Sequence, residues 1–398
     1  MRTQPCRFPR EPNSTTAEVM APTKSTPSPL PVPLLAELTT APLRVGVIGV
    51  GWAGEQHIEA YAALPDVHLV AIAGQEFDLV AAACTLYSVP HAFADWGDLL
   101  ELGGLDAVSI ATPTFLHAPI AIAALERGIH VLSEKPIAQN AVEGQTMVDA
   151  ARRANRVLDV AFNHRQRGDI QALAEVMHRG DIGRPYYARA AWLRRRGIPK
   201  LGSWFTNLEK SGGGPLVDIG VHVLDYALYL LGEPTVTAVS AVAYSELGHR
   251  GLGGDDRPTA GDPGSSAFEV EDFAAAFLRL SDGGTLVLES SWAVYRSPLD
   301  LLDFSVLATE GGADLRAVGA TAAREVELRV YRDVDGKMAD YSPTVGPSRG
   351  HAAVVENFVA AVRDPSSWAA NDGSTALTRA RVIDACYRSA REQREVLL

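Results

Sequence analysis

Cysteine is scarce: Cys6, Cys84 and Cys386 are the only three in 398 residues, far apart and without a CxxC pair. That spacing excludes a disulfide framework and a cysteine-built zinc site from the reading. Positive charge is in deficit, with 36 Lys and Arg against 48 Asp and Glu and a net charge of −12. General nucleic-acid binding needs basic residues in excess to neutralise phosphates, so no nucleic-acid partner is expected. Long apolar runs are also missing, since none approaches the roughly 18 residues that span a bilayer. No membrane partner is expected, and the cytoplasm is the expected compartment. The opening residues lack any sustained hydrophobic period and are rich in Pro, Ser and Thr. They carry neither a continuous apolar h-region after a basic start nor a twin-arginine pair, so residues 1–42 are expected to form a disordered tail.

What remains has an ordinary globular composition, 47% apolar and 21% charged, and enough length for two domains. Short apolar runs at 43–50, 68–73, 107–111, 129–132 and 157–162 read as strands covered on both faces. Helical patterns at 53–63, 77–87, 119–127 and 141–155 separate them. This alternation predicts a doubly wound parallel sheet. Beyond residue 163 the rhythm changes. Helices are expected at 169–178 and 216–231, and strands at 186–194, 235–244, 272–280, 284–293, 303–308 and 325–331. Turn signals such as SDGG and DVDG suggest a mostly antiparallel sheet, open on one face. Residues 351–363 and 374–391 read as closing helices, and 248–266 as a long Gly- and Asp-rich loop. The fold class is therefore α/β: an N-terminal Rossmann sheet followed by an α+β domain with a large open-faced sheet.

The stretch VGVIGVGWAGEQHIEAY, residues 45–61, ends a strand on glycines and opens a helix. In that setting GxGxxG is a pyrophosphate cradle. Gly49 makes the turn, Gly51 admits the ligand backbone, and Gly54 lets helix and strand pack closely. Trp52 and Ala53 complete the cofactor-binding turn, with the helix N-terminus facing the phosphates. The position that usually holds a ribose-binding carboxylate, at the end of the second strand, carries Gly74 and Gln75, with Glu76 following. The choice between NAD and NADP stays open there, leaning to NAD because the only nearby charge is negative. Thr112 and Pro113 end one strand, and Glu134 and Lys135 end the next, at the carboxyl edge where open α/β sheets bind ligands. In SGGGPLVDIGVHVLDYALYLLG, residues 211–232, Asp218, His222 and Asp225 are spaced four and three apart and share one helical face. A carboxylate beside an imidazole there can orient the ring and tune its pKa towards neutral. A satisfied histidine at a domain interface is the alternative, and no third ligand group supports a metal site.

Together GVGWAG, ATPTFLHAPIAIAALERGIHVLSEKP and GGGPLVDIGVHVLD resemble the glucose–fructose oxidoreductase/inositol dehydrogenase (Gfo/Idh/MocA) family. The resemblance runs from residue 43 to the end. It implies residues 43–163 as an NAD(P)-binding domain, 164–345 as a substrate-binding and oligomerisation domain, and 346–398 as helices packing back on the core. It further implies that Lys135 contacts both nicotinamide and reacting hydroxyl, that His222 exchanges the hydroxyl proton, and that Asp218 orients the substrate and biases the histidine. Asp225 reads as structural, holding the helix or His222 from behind. Asn163 and Arg165 match positions bordering cofactor and substrate, with a domain-junction hydrogen-bond network as the alternative. His117 falls where the family often has a histidine near the cofactor, although helix capping would also account for it.

Trp204 and Phe205 read either as a wall for a sugar ring or as core packing. Of Arg194, Arg195 and Arg196 at most one or two can face a cleft, and a surface patch is the favoured explanation. The implied activity is hydride transfer between NAD or NADP and a secondary alcohol or ketone of a sugar, glycoside or cyclitol. An NAD-dependent glycoside hydrolase with transient oxidation and a non-catalytic redox sensor are the alternatives. A free apolar sheet face would pair copies of the chain as a homodimer or homotetramer.

Overall fold

The computed structural model describes residues 41–254, 268–319 and 324–398. All but the last two residues of the expected tail, and residues 255–266 of the expected loop, lie outside them. The first sheet is built from β1 (Leu43–Ile48), β2 (Val67–Ala73), β3 (His91–Phe93), β4 (Ala107–Ile110), β5 (His130–Ser133) and β6 (Leu158–Val160). All its pairings are parallel, in the order β3-β2-β1-β4-β5-β6. The order reverses between β1 and β4, which opens a crevice beyond their carboxyl ends. Helices α1 (Trp52–Ala62), α2 (Phe77–Tyr87), α3 (Trp96–Glu101), α4 (His117–Glu126) and α5 (Ala141–Ala154) connect the strands. Their apolar sides cover both faces of the sheet, which is why β1, β4 and β5 are nearly continuous hydrophobic runs.

Helix α6 (Gly168–His178) leads into β7 (Pro185–Arg194), and the short α7 (Leu208–Ser211) precedes a π-helical turn, Leu216–Gly220, that runs into α8 (Val221–Leu230). The second sheet adds β8 (Val236–Tyr244), β9 (Phe273–Leu280), β10 (Thr285–Ser291), β11 (Asp300–Ala308), β12 (Gly311–Val318), β13 (Glu325–Val334), β14 (Lys337–Tyr341) and β15 (Val396–Leu397). Its order is β14-β13-β12-β11-β7-β10-β9-β8-β15, and every pairing but β7 with β10 is antiparallel. One face buries Ala190, Trp192, Leu288, Leu278 and Phe304 beneath the helices. The other face mixes exposed Val242, Phe277 and Leu307 with an ionic trio in which Arg189 meets Glu289 and Asp303. It is therefore less apolar than the alternation implied.

The last helices return to the first sheet. Helix α9 (Gly350–Arg363) places Val355, Phe358 and Val359 in one core with Val45, Val47 and Tyr61, and α10 (Ser374–Glu392) packs on α5 and β8. Among the described residues no helix is long and apolar enough to cross a membrane.

Candidate active site

The turn after β1 explains its own glycines. Gly49 has φ +101°, and a Cβ there would lie 2.3 Å from the Ala111 carbonyl oxygen. A Cβ on Gly54 would lie 2.1 Å from the Gly49 oxygen. Gly51 differs, since a Cβ there would meet nothing within 4 Å. Gly51 also caps α1 with no side chain bonded to the helix's first amides, so open space and unsatisfied N–H donors coincide. The Thr112 hydroxyl is buried beside this turn without a partner. Room, donors and an orphaned hydroxyl fit a dinucleotide. Trp52 is 67% exposed and meets the His351 ring edge-on at 5.3 Å. Ala53 lies in the first turn of α1, and Gln75 is exposed just beyond β2.

Across the crevice, Lys135 Nζ donates to both the carbonyl oxygen and Oδ1 of Asp218, each at 3.0 Å. Asp218 Oδ2 accepts from Trp292 Nε1 at 2.9 Å. Burial alone would raise the Asp218 carboxyl, but Lys135, Arg194 and these hydrogen bonds outweigh it and keep it below the usual range. The π-helical turn carrying Asp218 is anchored by Glu271, whose carboxylate accepts from the N–H groups of Gly214 and Leu216. Tyr387 also donates to Glu271, and a Cβ on Gly213 would lie 2.0 Å from the Tyr387 oxygen. Each glycine of the run meets a different neighbour: Gly213 faces α10, while a Cβ on Gly212 or Gly214 would lie 2.3 Å from the Gln139 oxygen or 2.1 Å from the Glu271 carbonyl oxygen.

Asp218 does not orient His222, contrary to the expectation from their spacing. Its oxygens are committed to Lys135 and Trp292, and the wide turn takes it out of the α-helical phase. His222 instead stacks on His164, with ring centroids 4.3 Å apart and planes at 19°. Trp192 lies 5.0 Å from the His164 ring and 6.1 Å from that of His222. Burial, then the neighbouring His164 and Lys135, hold His222 well below the ordinary histidine value. Burial and a ring of cations do the same to His164. His222 Nδ1 and His164 Nδ1 are sealed without partners. His164, Trp192 and Trp292 escaped the sequence reading. His164 stands between Asn163 and Arg165 in a 3-10 turn, so the only signal was proximity.

Several expected contacts go elsewhere. Glu134 is buried in a network rather than turned to a cofactor. Its Oε1 accepts from His57 Nε2 at 3.1 Å and His351 Nε2 at 3.0 Å, and its Oε2 from the Lys135 amide at 3.2 Å. His57 Nδ1 faces the Ser109 hydroxyl, and His351 Nδ1 the amide of Asn163 at 3.4 Å. Both rings donate through Nε2 to the ionised Glu134, which assigns that proton in each. Burial would raise Glu134, but the hydrogen bonds from His351 and His57 outweigh it and lower its carboxyl far below the usual range. These three side chains are the only group among the described residues with ligating atoms gathered as for a metal, all within 4.8 Å. Hydrogen bonding accounts for them. His117 is likewise internal, its ring nitrogens facing the carbonyl oxygens of Pro136 at 2.9 Å and Thr112 at 3.0 Å. It ties two strand-end loops together, and neither a cofactor contact nor a cap describes it. Pro113 precedes the short turn that leads to it.

Arg165 turns to carboxylates at the domain junction. It grips buried Asp225 through two bonds of 2.7 and 2.6 Å and reaches Glu233 at 3.2 Å. Arg379 joins from α10, with Asp225 at 3.0 Å and Glu233 at 2.6 Å. The domain-junction alternative describes this network, and Asp225 holds the helix, not His222. Trp204 stacks on Phe205 at 3.8 Å, both half-buried. Of the three arginines, Arg195 and Arg196 are exposed, whereas Arg194 turns inward onto the Trp192 ring.

The comparisons with known proteins meet this geometry. Residues 43–162 match the model of the Gfo/Idh/MocA oxidoreductase family, NAD-binding Rossmann fold, and residues 170–314 match the Gfo/Idh/MocA C-terminal domain. D-glucoside 3-dehydrogenase of Escherichia coli (strain K12) is 31% identical over 89% of this chain and 97% of its own. Levoglucosan dehydrogenase of Pseudarthrobacter phenanthrenivorans is 32% identical over 68% of this chain and 72% of its own. A solved levoglucosan dehydrogenase in complex with NADH and L-sorbose superposes with a TM-score of 0.74 at 27% identity, covering 90% of this chain and 99% of that one. With both domains matched in order and the glycine turn open where a pyrophosphate would lie, the chain belongs to the Gfo/Idh/MocA family of NAD-binding oxidoreductases.

Proposed function

We propose that this enzyme oxidises a ring carbinol of a sugar, glycoside or cyclitol, or reduces the corresponding ketone, with NAD as coenzyme. The observation that carries this reading is the Lys135–Asp218 pair, whose two 3.0 Å bonds join the end of β5 to the second domain beside neutral His222. The nicotinamide dinucleotide, when bound, supplies the hydride acceptor. Gly51 and the first turn of α1 hold its pyrophosphate, and the exposed Gln75 region receives the adenosine ribose. Lys135, held by Asp218, presents its ammonium to the substrate hydroxyl and stabilises the developing alkoxide. His222 receives the proton; with Nδ1 sealed in the protein, Nε2 is the atom that exchanges it. Stacking on His164 fixes the ring plane. Trp292 holds the Asp218 carboxylate in place, so the lysine stays aimed.

Relatives named D-glucoside 3-dehydrogenase and levoglucosan dehydrogenase support a glucose-like ring as substrate. The open face of the second sheet is the surface by which copies of the chain would associate, and the cytoplasm is the compartment such an enzyme suits. The test is growth of the reduced-nicotinamide band with NAD or NADP and a panel of glucosides, anhydrosugars and inositols. Growth with one substrate class supports the reading. Bound cofactor without growth, accompanied by glycosidic cleavage, would assign a closed-cycle hydrolase instead, and bound cofactor with neither would assign a sensor.

A further inference from the structure

At the carboxyl end of the parallel pair β7–β10, next to Asp218, the charges do not balance. Lys135 is matched by Asp218, and Arg167 is ion-paired with Asp169. Arg194 and Arg324, however, share one carboxylate. Each approaches Asp300 Oδ2 only to 3.5 Å, and Asp300 Oδ1 is taken by Trp192 Nε1 at 2.8 Å. With the histidines neutral, these described side chains hold one more cation than carboxylate. Arg324 is 8% exposed and already gives its Nε to the Gly319 carbonyl. Arg194 is 21% exposed, and among the described residues it makes no hydrogen bond shorter than that 3.5 Å ion pair. Its guanidinium lies over the Trp192 ring at 4.6 Å, and that of Arg324 at 4.9 Å. The stack fixes the plane of the Arg194 fork while its terminal nitrogens meet no hydrogen-bond partner among the described residues. By contrast, Arg152 and Arg165 close at 2.7 and 2.6 Å on Asp372 and Asp225. The same Trp192 ring touches His164, which in turn stacks on His222. The open fork is therefore one residue removed from the reacting centre. Arg194 is also the charge that, after Lys135, most lowers the otherwise burial-raised Asp218 carboxyl, which places it close to that side chain.

We propose that Arg194, backed by Arg324, is an oxyanion-binding subsite, so that the preferred substrate is a sugar bearing a carboxylate or phosphoryl group. A planar fork with a single unmatched charge suits two oxygens of either group. The inference rests on the dehydrogenase reading and narrows its substrate.

The experiment compares three substrates with one aglycone: a glucoside, the matching glucuronide and the matching glucoside 6-phosphate. The expected result is that kcat/KM for one anionic sugar exceeds that for the neutral one by about tenfold or more, as charge-assisted bidentate bonds would give. The advantage appears mainly in KM and shrinks with salt. In Arg194→Gln the anionic-to-neutral ratio falls towards one; Arg324→Gln, checked by its melting curve, is the second variant. A carboxylate source is assigned by preference for the glucuronide, and a phosphoryl source by preference for the 6-phosphate. Preference for the neutral glucoside, survival of the anionic advantage in Arg194→Gln, or an equal fall in kcat for all three substrates would overturn the proposal. Calorimetric titration of glucuronate and glucose 6-phosphate into the NADH-loaded protein separates the two readings. Arg194-dependent anion binding without turnover of any sugar would uphold the subsite and defeat the dehydrogenase. Turnover of neutral sugars without anion binding would do the reverse.

Discussion

Replacing Asp225 with asparagine tests whether the last carboxylate of the Asp218–His222–Asp225 run is structural. Asp225 is 1% exposed and balances Arg165 and Arg379 together with Glu233, two cations against two anions. Removing it leaves two guanidinium groups, one of them 3% exposed, against a single half-exposed carboxylate. Stripping one partner from a buried pair costs about 3–5 kcal/mol. At roughly 1.3 °C per kcal/mol for a chain of this length, the melting temperature should fall by about 4 °C or more. The assay is thermal melting by circular dichroism beside steady-state kinetics. Asp225→Asn/Arg379→Met restores the charge count and should be less damaging than the two single changes summed. The reasoning is refuted if Asp225→Asn melts like wild type, and more so if turnover collapses while the melt is unchanged, because Asp225 would then be acting on His222.

Gly51→Ala should leave the melting curve of the cofactor-free protein unchanged, since a Cβ there meets no atom within 4 Å, yet weaken NADH binding measured by calorimetry. Gly54→Ala, which would press a Cβ to 2.1 Å from the Gly49 oxygen, should instead lower the melting temperature. His222 is held neutral below its ordinary value, so the acid limb of kcat/KM for oxidation should fall below about pH 6.5; a limb above that value would identify another base. Acid should also destabilise the fold. His117, His164 and His222 are all depressed by burial, so below about pH 6.5 the unfolded chain binds protons that the folded one refuses. Stability is then full above that pH and falls below it, by at most about 1.4 kcal/mol per pH unit for each group. Urea midpoints that stay constant from about pH 7 to pH 5 would contradict this.

The first half of the fold was legible because its signals are local. The run into Gly49 and the period of α5, which buries Met147, Val148 and Ala151, carry their own structure. Strand β3 and helix α3 went unread, since three and six residues are too few to show a period. Strand β12 was also missed. It opens on Gly311 and Gly312 and exposes Asp314 and Arg316 on one face, and its pairing with β11 and β13 overrides its weak propensity. At the site, Lys135 and Asp218 were readable as motif residues, but their partners were not. Asp218 answers to Trp292, 74 positions away, and Glu134 to His351, 217 positions away. The spacing of Asp218 and His222 misled because it assumed an α-helical turn where a π-helical one stands. Arg194 was submerged in a run of three arginines, and only the packing of Trp192 singles it out.

In the proposed reaction, hydride leaves a carbinol carbon of the substrate for the nicotinamide, with Lys135 and His222 handling the hydroxyl and its proton. The measurement that tests it most directly uses the glucoside that reduces NAD fastest, deuterated in turn at each ring carbinol carbon, with mass analysis of the cofactor. With the wild-type enzyme, label is expected in the reduced nicotinamide from a single carbon. In Lys135→Met the transfer is abolished while dinucleotide binding persists. Unlabelled cofactor despite product formation, or undiminished transfer in Lys135→Met, would contradict it.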